Sequence, residues 1–202
     1  MIHNIIFDIG NVLLSFCWER HFASFGFSDV VFNKVAKATV LSPTWDAFDQ
    51  GVLTPEQLLE VFIKNDPSVE KEIRQMYANI SGTVEIYPYT LAWIEDLKKR
   101  GYNVYVLSNF SEKLHKECGG KVDFLKDIDG YILSYQEKLI KPDDRIYQLL
   151  IHRYGLVPDD CVFIDDKMIN IEAARRNGMH GIVFTSYEET IYLLDKMLEV
   201  CS

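Results

Sequence analysis

Apolar residues along this 202-residue chain fall in short unbroken runs, each ending in polar residues. Ile2 to Asp8 carries Ile5-Ile6-Phe7 and breaks at Gly10-Asn11, and Val104 to Leu107 runs into Ser108-Asn109. Cys161 to Ile164 runs into Asp165-Asp166, and Gly181 to Phe184 into Thr185-Ser186. Runs of that length bounded by turn residues predict buried strands. Between them the period lengthens to that of a helix, over Leu91 to Arg100, Asp143 to Tyr154 and Ile169 to Asn177, each closed by a glycine. Glycine is the usual residue past a helix C-terminus. Strand alternating with helix predicts an α/β fold, a Rossmann-like parallel sheet with helices on both faces. In such sheets ligands bind beyond the carboxyl ends of the strands, which is where these polar residues fall. A last helix, Ser186 to Val200, carries Ile191, Leu194 and Leu198 on one face, a pattern suited to core packing.

The alternation fails from about Ser15 to Ile86, where the pattern predicts several helices and no buried strand. Phe22, Phe25, Val31, Val35, Leu58, Leu59, Phe62 and Ile63 supply apolar faces at helical spacing. Thr54-Pro55-Glu56-Gln57 reads as a helix start, with Thr54 as cap, Pro55 in the first turn and Gln57 completing a capping box. The expected organisation is a core of residues 1–14 and 87–202 with a helical cap, residues 15–86, inserted after the first strand. Such an insertion sits above the strand ends, and Tyr87-Pro88 is the expected return hinge.

Composition narrows the partners. A hydrophobic content of 48% supports a large core, above the typical domain of roughly 100–150 residues. Thirty acidic residues against 21 basic ones, a net charge of -9, repel polyanions, so nucleic acid is not an expected partner. A site for an anionic ligand must therefore make its positive potential locally. Cys17, Cys118, Cys161 and Cys201 form no metal-ligand spacing and read as reduced thiols. The opening Met-Ile-His-Asn predicts neither a secretory leader nor a membrane span, so the expected location is cytoplasmic. Oligomeric state is not legible.

Four polar groups thus stand at the ends of different strands. Phe7-Asp8-Ile9-Gly10-Asn11-Val12-Leu13, Val106-Leu107-Ser108-Asn109, Lys141-Pro142, and Phe163-Ile164-Asp165-Asp166 through Asn170-Ile171 resemble, in order and spacing, the four motifs of the haloacid dehalogenase superfamily. The Asp-x-Gly-Asn-Val opening is similar to that of its sugar-phosphate phosphatase subgroup. The resemblance implies hydrolysis of a small phosphomonoester, with Asp8 as nucleophile forming an aspartyl-phosphate. It implies Mg2+ held by Asp8, the Gly10 carbonyl and Asp166, since an anionic nucleophile attacking an anionic phosphate needs a cation between them. Asp165 and Asn170 would support that site, Asp165 by orienting a water or Lys141. Lys141, preferred to Lys138 because Lys-Pro leads into a helix, would neutralise Asp8 and the phosphate. Ser108 and Asn109 would donate to phosphoryl oxygens, although both also suit a helix cap.

Most phosphatases of the superfamily carry a second aspartate two residues after the nucleophile, as general acid; here that residue is Gly10. Either the substrate has a good leaving group, as an anomeric sugar phosphate does, or an acid enters from the cap. Asp46, Asp49 and His21 are candidates, and each also fits a solvated helical position. Gly10 equally suits a metal-independent 2-haloacid dehalogenase, which has little use for paired Asp165-Asp166; a binding module that lost its chemistry is a third reading. Trp45 and Phe48 share a helix face and suit either a substrate or contacts between cap helices. Arg20 suits a substrate anion or a neighbouring carboxylate. Bulky insertions restrict access, so a sugar phosphate is expected rather than a phosphoprotein.

Overall fold

All four residues of Asn4–Phe7 (β1) are buried, as an apolar run covered on both faces requires. In the structure, a computed structural model describing residues 1–200, a tight loop leads from β1 to Leu14–Phe16 (β2). Five helices follow: Trp18–Ala23 (α1), Asp29–Ala38 (α2), Thr44–Gln50 (α3), Pro55–Asn65 (α4) and Glu70–Ala78 (α5). The chain returns through Val84–Ile86 (β3) to Thr90–Lys99 (α6), Asn103–Ser108 (β4), Glu112–Glu117 (α7), Gly130–Leu133 (β5) and Ser134–Glu137 (α8). Asp144–Tyr154 (α9), Cys161–Asp165 (β6), Met168–Arg176 (α10), His180–Val183 (β7) and Tyr187–Val200 (α11) complete the chain. Cys201, one of the four cysteines, lies outside the described residues; Cys17, Cys118 and Cys161 are free thiols.

The main sheet has the order β5-β4-β1-β6-β7, and its pairs are parallel. Alternation along β1 sends Ile5 and Phe7 to one face and Ile6 to the other. Trp93 and Leu97 of α6 and Leu194 and Leu198 of α11 cover the first face; Ile146, Tyr147 and Leu150 of α9 and Ile171 and Ala174 of α10 cover the second. Phe7 pairs in register with both Val106 and Ile164, so Asp8, Ser108 and Asp165 emerge together at one end of the sheet. The order of connections reverses at β1, which opens a crevice at that end.

The pattern of runs anticipated β1, β4, β6 and β7 within a few residues. It missed β5, a short edge strand that opens on Gly130 and is only half-buried there. It also missed the antiparallel ribbon of β2 and β3, which pairs Leu14 with Ile86, Ser15 with Glu85 and Phe16 with Val84. This is a correction to the expectation of helices alone between Ser15 and Ile86. Three-residue strands carry almost no pattern of their own and exist through pairing. The return into the core is therefore a ribbon, with the Tyr87 N–H donating to the Leu13 carbonyl just beyond it. The Thr54 capping box of α4 is formed as expected.

Candidate active site

Asp8 follows the last residue of β1, tied to its neighbour strand by a 2.9 Å bond from its N–H to the Ile164 carbonyl. Its Oδ1 accepts from the Ile9 N–H at 2.7 Å and the Ser108 hydroxyl at 2.7 Å, and lies 2.8 Å from Lys141 Nζ. Oδ2 receives no hydrogen bond among the described residues, so one oxygen is held while the other faces the crevice. Burial raises the Asp8 carboxyl to about 6, with Lys141 opposing the rise and Asp165 adding to it.

Lys141 is buried and pairs at 2.6 Å with Asp165 as well as with Asp8. Burial would lower its ammonium, but the Asp165 and Asp8 carboxylates outweigh that and raise it. Asp165 is fully buried and satisfied on both oxygens, by Lys141, by Asn170 Nδ2 at 2.9 and 3.0 Å, and by the Lys167 N–H at 2.8 Å. Asn109 bonds the Lys141 backbone reciprocally: Nδ2 donates to the Lys141 carbonyl at 3.0 Å, and the Lys141 N–H donates to Oδ1 at 2.8 Å. The cap of α7 is Ser111, so Ser108 and Asn109 do not serve as its N-cap. Lys138 lies elsewhere, its Nζ bonded to the Gly51 carbonyl.

Asp166 is half-buried and accepts from Asn11 Nδ2 at 3.0 Å. Asn11 belongs to the turn after β1 and to the Asp-x-Gly-Asn-Val motif. It adopts a left-handed φ of 56°, and its Oδ1 also receives the Phe16 N–H at 3.1 Å. Its side chain thereby ties the loop after β1 to the loop after β6; the Gly-Asn pair ending a buried strand was the available signal.

Oxygens of Asp8, Asp165 and Asp166 lie within 4.8 Å of one another, and the Lys141 ammonium pairs with the first two. The cluster carries two uncompensated negative charges if all are ionised, and it offers oxygen donors only. A hard divalent cation such as Mg2+ fits that donor set. Because Asp165 is already saturated, Asp8 Oδ2 and Asp166 are the carboxylate donors left for it. The bridge between Gly10 and Leu14 uses the Ile9 carbonyl and the Asn11 N–H, so the Gly10 carbonyl takes no part in it.

Above this floor is a cavity of about 440 Å³, closed on its far side by the segment from Val40 to Asp49. Phe16, Val40, Leu41, Pro43 and Trp45 give its upper wall an apolar surface, into which Ser42, Asp46 and Asp49 bring polar groups. Trp45 borders the cavity, whereas Phe48 is buried in the insertion, 6.3 Å from the Phe62 ring centroid and 6.4 Å from that of Tyr77. Arg20 pairs with Glu85 at 2.7 Å and does not line the cavity. His21 bonds the Asn79 carbonyl at 2.7 Å and does not line it either. Lys167, Phe110 and Leu114 border the cavity without having been singled out in the sequence, where nothing marks them.

Known proteins resemble this chain in sequence or in fold. The chain is 27% identical over 210 residues to mouse (Mus musculus) acyl-CoA dehydrogenase family member 10, covering 96% of this chain but 19% of that protein. It is 26% identical to the sesquiterpene phosphatase astK of Aspergillus oryzae, covering 89% of this chain and 88% of the other. The structure of a HAD family enzyme from Bacteroides thetaiotaomicron, in complex with magnesium and inorganic phosphate, superposes with a TM-score of 0.68 at 21% identity over 93% of this chain and 96% of that one. The sequence pattern of the haloacid dehalogenase-like hydrolases matches residues 2–178. With its parallel sheet and the acidic cluster at the strand ends, the chain belongs to the haloacid dehalogenase-like hydrolases.

Proposed function

We propose that this protein hydrolyses a small phosphomonoester through an aspartyl-phosphate on Asp8, with Mg2+ held by Asp8, the Gly10 carbonyl and Asp166. The observation that carries the proposal is the cluster of Asp8, Asp165 and Asp166, whose oxygens lie within 4.8 Å of one another and of which Asp8 and Asp165 share the buried Lys141. A site that attacked an uncharged carbon would gain nothing from Asp166 beside its nucleophile. Bound Mg2+ supplies charge neutralisation and polarises the phosphoryl oxygens. The chain's residues do the rest. Ser108 and the Ile9 N–H hold Asp8 Oδ1 so that Oδ2 points at phosphorus. Lys141, fixed by Asp165 and Asn109, lowers the potential at the nucleophile and the phosphate, and Asn109 borders the phosphate from the cavity side. The insertion, residues 15–86, acts as a cap that limits the site to small esters. The magnesium and phosphate of the Bacteroides enzyme support this reading.

The bulk of the insertion suggested a sugar phosphate. Ring hydroxyls need polar partners, and the wall offers them Ser42, Asp46 and Asp49 beside the broader apolar surface of Phe16, Val40, Leu41, Pro43 and Trp45, so we rank an apolar or aromatic alcohol ahead of a sugar. The sesquiterpene phosphatase relative supports that order. The test is a panel of alkyl, aryl and sugar phosphates with Mg2+ and with EDTA, on wild type and Asp8→Asn. Magnesium-dependent phosphate release that vanishes in Asp8→Asn is expected. Chloride release from a 2-haloacid in EDTA, without phosphatase activity, would favour the dehalogenase instead.

A further inference from the structure

Gly10 provides no proton donor beside Asp8, and the opposite wall of the cavity carries two carboxyls, Asp46 and Asp49, both on α3. Asp46 is exposed, whereas Asp49, almost one turn later, is partly buried and turned into the enclosure that holds Asp8 and Lys141. The position of Asp49 is set by the core. Ser134 Oγ donates to the Asp49 carbonyl at 2.5 Å, Gln50 Nε2 to the Lys138 carbonyl at 2.9 Å, and Lys138 Nζ to the Gly51 carbonyl at 2.5 Å. Gly51 ends α3 at a φ of 66°, and a Cβ there would lie 3.0 Å from Tyr135. Three bonds and a close backbone approach thus fasten the last turn of α3 to α8.

The charged groups around Asp49 are Asp46 on its own helix, Lys167 from the turn after β6, and Asp8 and Lys141 on the floor. Burial is the largest influence and pushes its carboxyl well above the usual range; Lys167 pulls it down and Asp46 pushes it further up. Burial thus favours the neutral form of the carboxyl, the form that can donate a proton.

We propose that Asp49 is the general acid and base of this site, protonating the leaving alcohol across the cavity in place of the side chain absent at Gly10. The proposal rests on the phosphomonoester reading. In the first step Asp8 Oδ2 forms a bond to phosphorus, the bond from phosphorus to the ester oxygen breaks, and the Asp49 proton passes to that oxygen, releasing neutral alcohol. In the second, a water oxygen bonds phosphorus, its proton passes to the Asp49 carboxylate, and the acyl-phosphate bond breaks to return the Asp8 carboxylate and inorganic phosphate. The sum is ester plus water giving alcohol plus phosphate.

The experiment uses the full chain with Mg2+, enzyme in excess over substrate, so that the rate of alcohol release reports the first step alone. p-Nitrophenyl phosphate, whose leaving group needs no proton, is compared with a primary alkyl phosphate, whose leaving group does. In Asp49→Asn the ratio of the aryl rate to the alkyl rate is expected to rise by about 10²–10⁴-fold, the usual range for general acid catalysis. In Asp46→Asn, which removes a neighbouring charge but leaves the Asp49 carboxyl in place, the ratio shifts far less than in Asp49→Asn. An unchanged ratio in Asp49→Asn, whether both rates fall or neither does, overturns the proposal. No magnesium-dependent hydrolysis of either ester by wild type would instead overturn the phosphomonoester reading, and aryl phosphate hydrolysis surviving in Asp8→Asn would overturn the role of Asp8, which separates these failures from that of Asp49.

Discussion

Lys141 Nζ lies 2.8 Å from Asp8 Oδ1, and both side chains are almost wholly withdrawn from water. Neither charge is tolerable alone. Replacing Lys141 with Met leaves Asp8 and Asp165 without their shared counter-charge, and breaking a buried pair costs roughly 3–5 kcal/mol. Urea unfolding at pH 7 should show a loss of that order. Adding Asp8→Asn to Lys141→Met should recover part of it, because one unpaired charge is then gone; a strictly additive double variant would contradict the coupling.

Asp8 alone predicts the reverse sign. Its carboxyl rises from 3.8 to about 6 on folding. A group with a raised folded value contributes fully below its unfolded value and loses that contribution as pH rises through the folded one. In EDTA, Asp8→Asn should therefore be more stable than wild type above pH 6, by about 1–3 kcal/mol at 1.36 kcal/mol per unit. The advantage should shrink as pH falls from 6 toward 4. Melting curves across that window decide it, and a less stable Asn variant at pH 7 counts against the burial argument.

Metal addition should stabilise the wild type by mass action, with a melting temperature that climbs with Mg2+ concentration. Asp166 is half-buried and bonded only to Asn11 among the described residues, so Asp166→Asn should leave the apo fold within about 0.5 kcal/mol, as at other surface sites. The Mg2+-dependent rise should disappear in that variant. A rise that persists would place the cation elsewhere.

Asn11 combines a left-handed backbone with two side-chain bonds. Asn11→Ala should cost about 2–4 kcal/mol, the sum of roughly 1 kcal/mol of conformational strain and two bonds at about 0.5–1.5 kcal/mol each. Asn11→Gly should regain only the conformational part. Equal losses for Ala and Gly in denaturant titrations would show that the backbone contributes nothing.

A Cβ built at Gly10 meets no atom within 4 Å, and the residue is outside the left-handed region. Gly10→Asp should therefore fold with little change in melting temperature. In an Asp49→Asn background it should raise alkyl phosphate hydrolysis, since a carboxyl two residues after the nucleophile can supply the missing proton. No gain in a folded double variant would show that this backbone does not aim an acid at the leaving group from residue 10.

The amino-acid order by itself determined β1, β4, β6 and β7 of the main sheet and the polar residues at their ends. Ile5-Ile6-Phe7 before Asp8, and Val162-Phe163-Ile164 before Asp165, are strands because a short apolar run can be buried on both faces, and polar residues follow because the chain must turn there. Those are local properties, legible in one dimension. Only the tertiary structure decided what depends on residues distant in the chain. It paired β2 with β3, gave Arg20 to Glu85, and turned the Ser108 and Asn109 side chains toward Asp8 and Lys141. It also distinguished Asp49 from Asp46 and His21, three polar residues of the insertion that no spacing separates. Burial and partner are set by what packs opposite, and a hydrogen bond from Ser134 to the backbone of Asp49, 85 residues away, leaves no trace in the pattern of either segment.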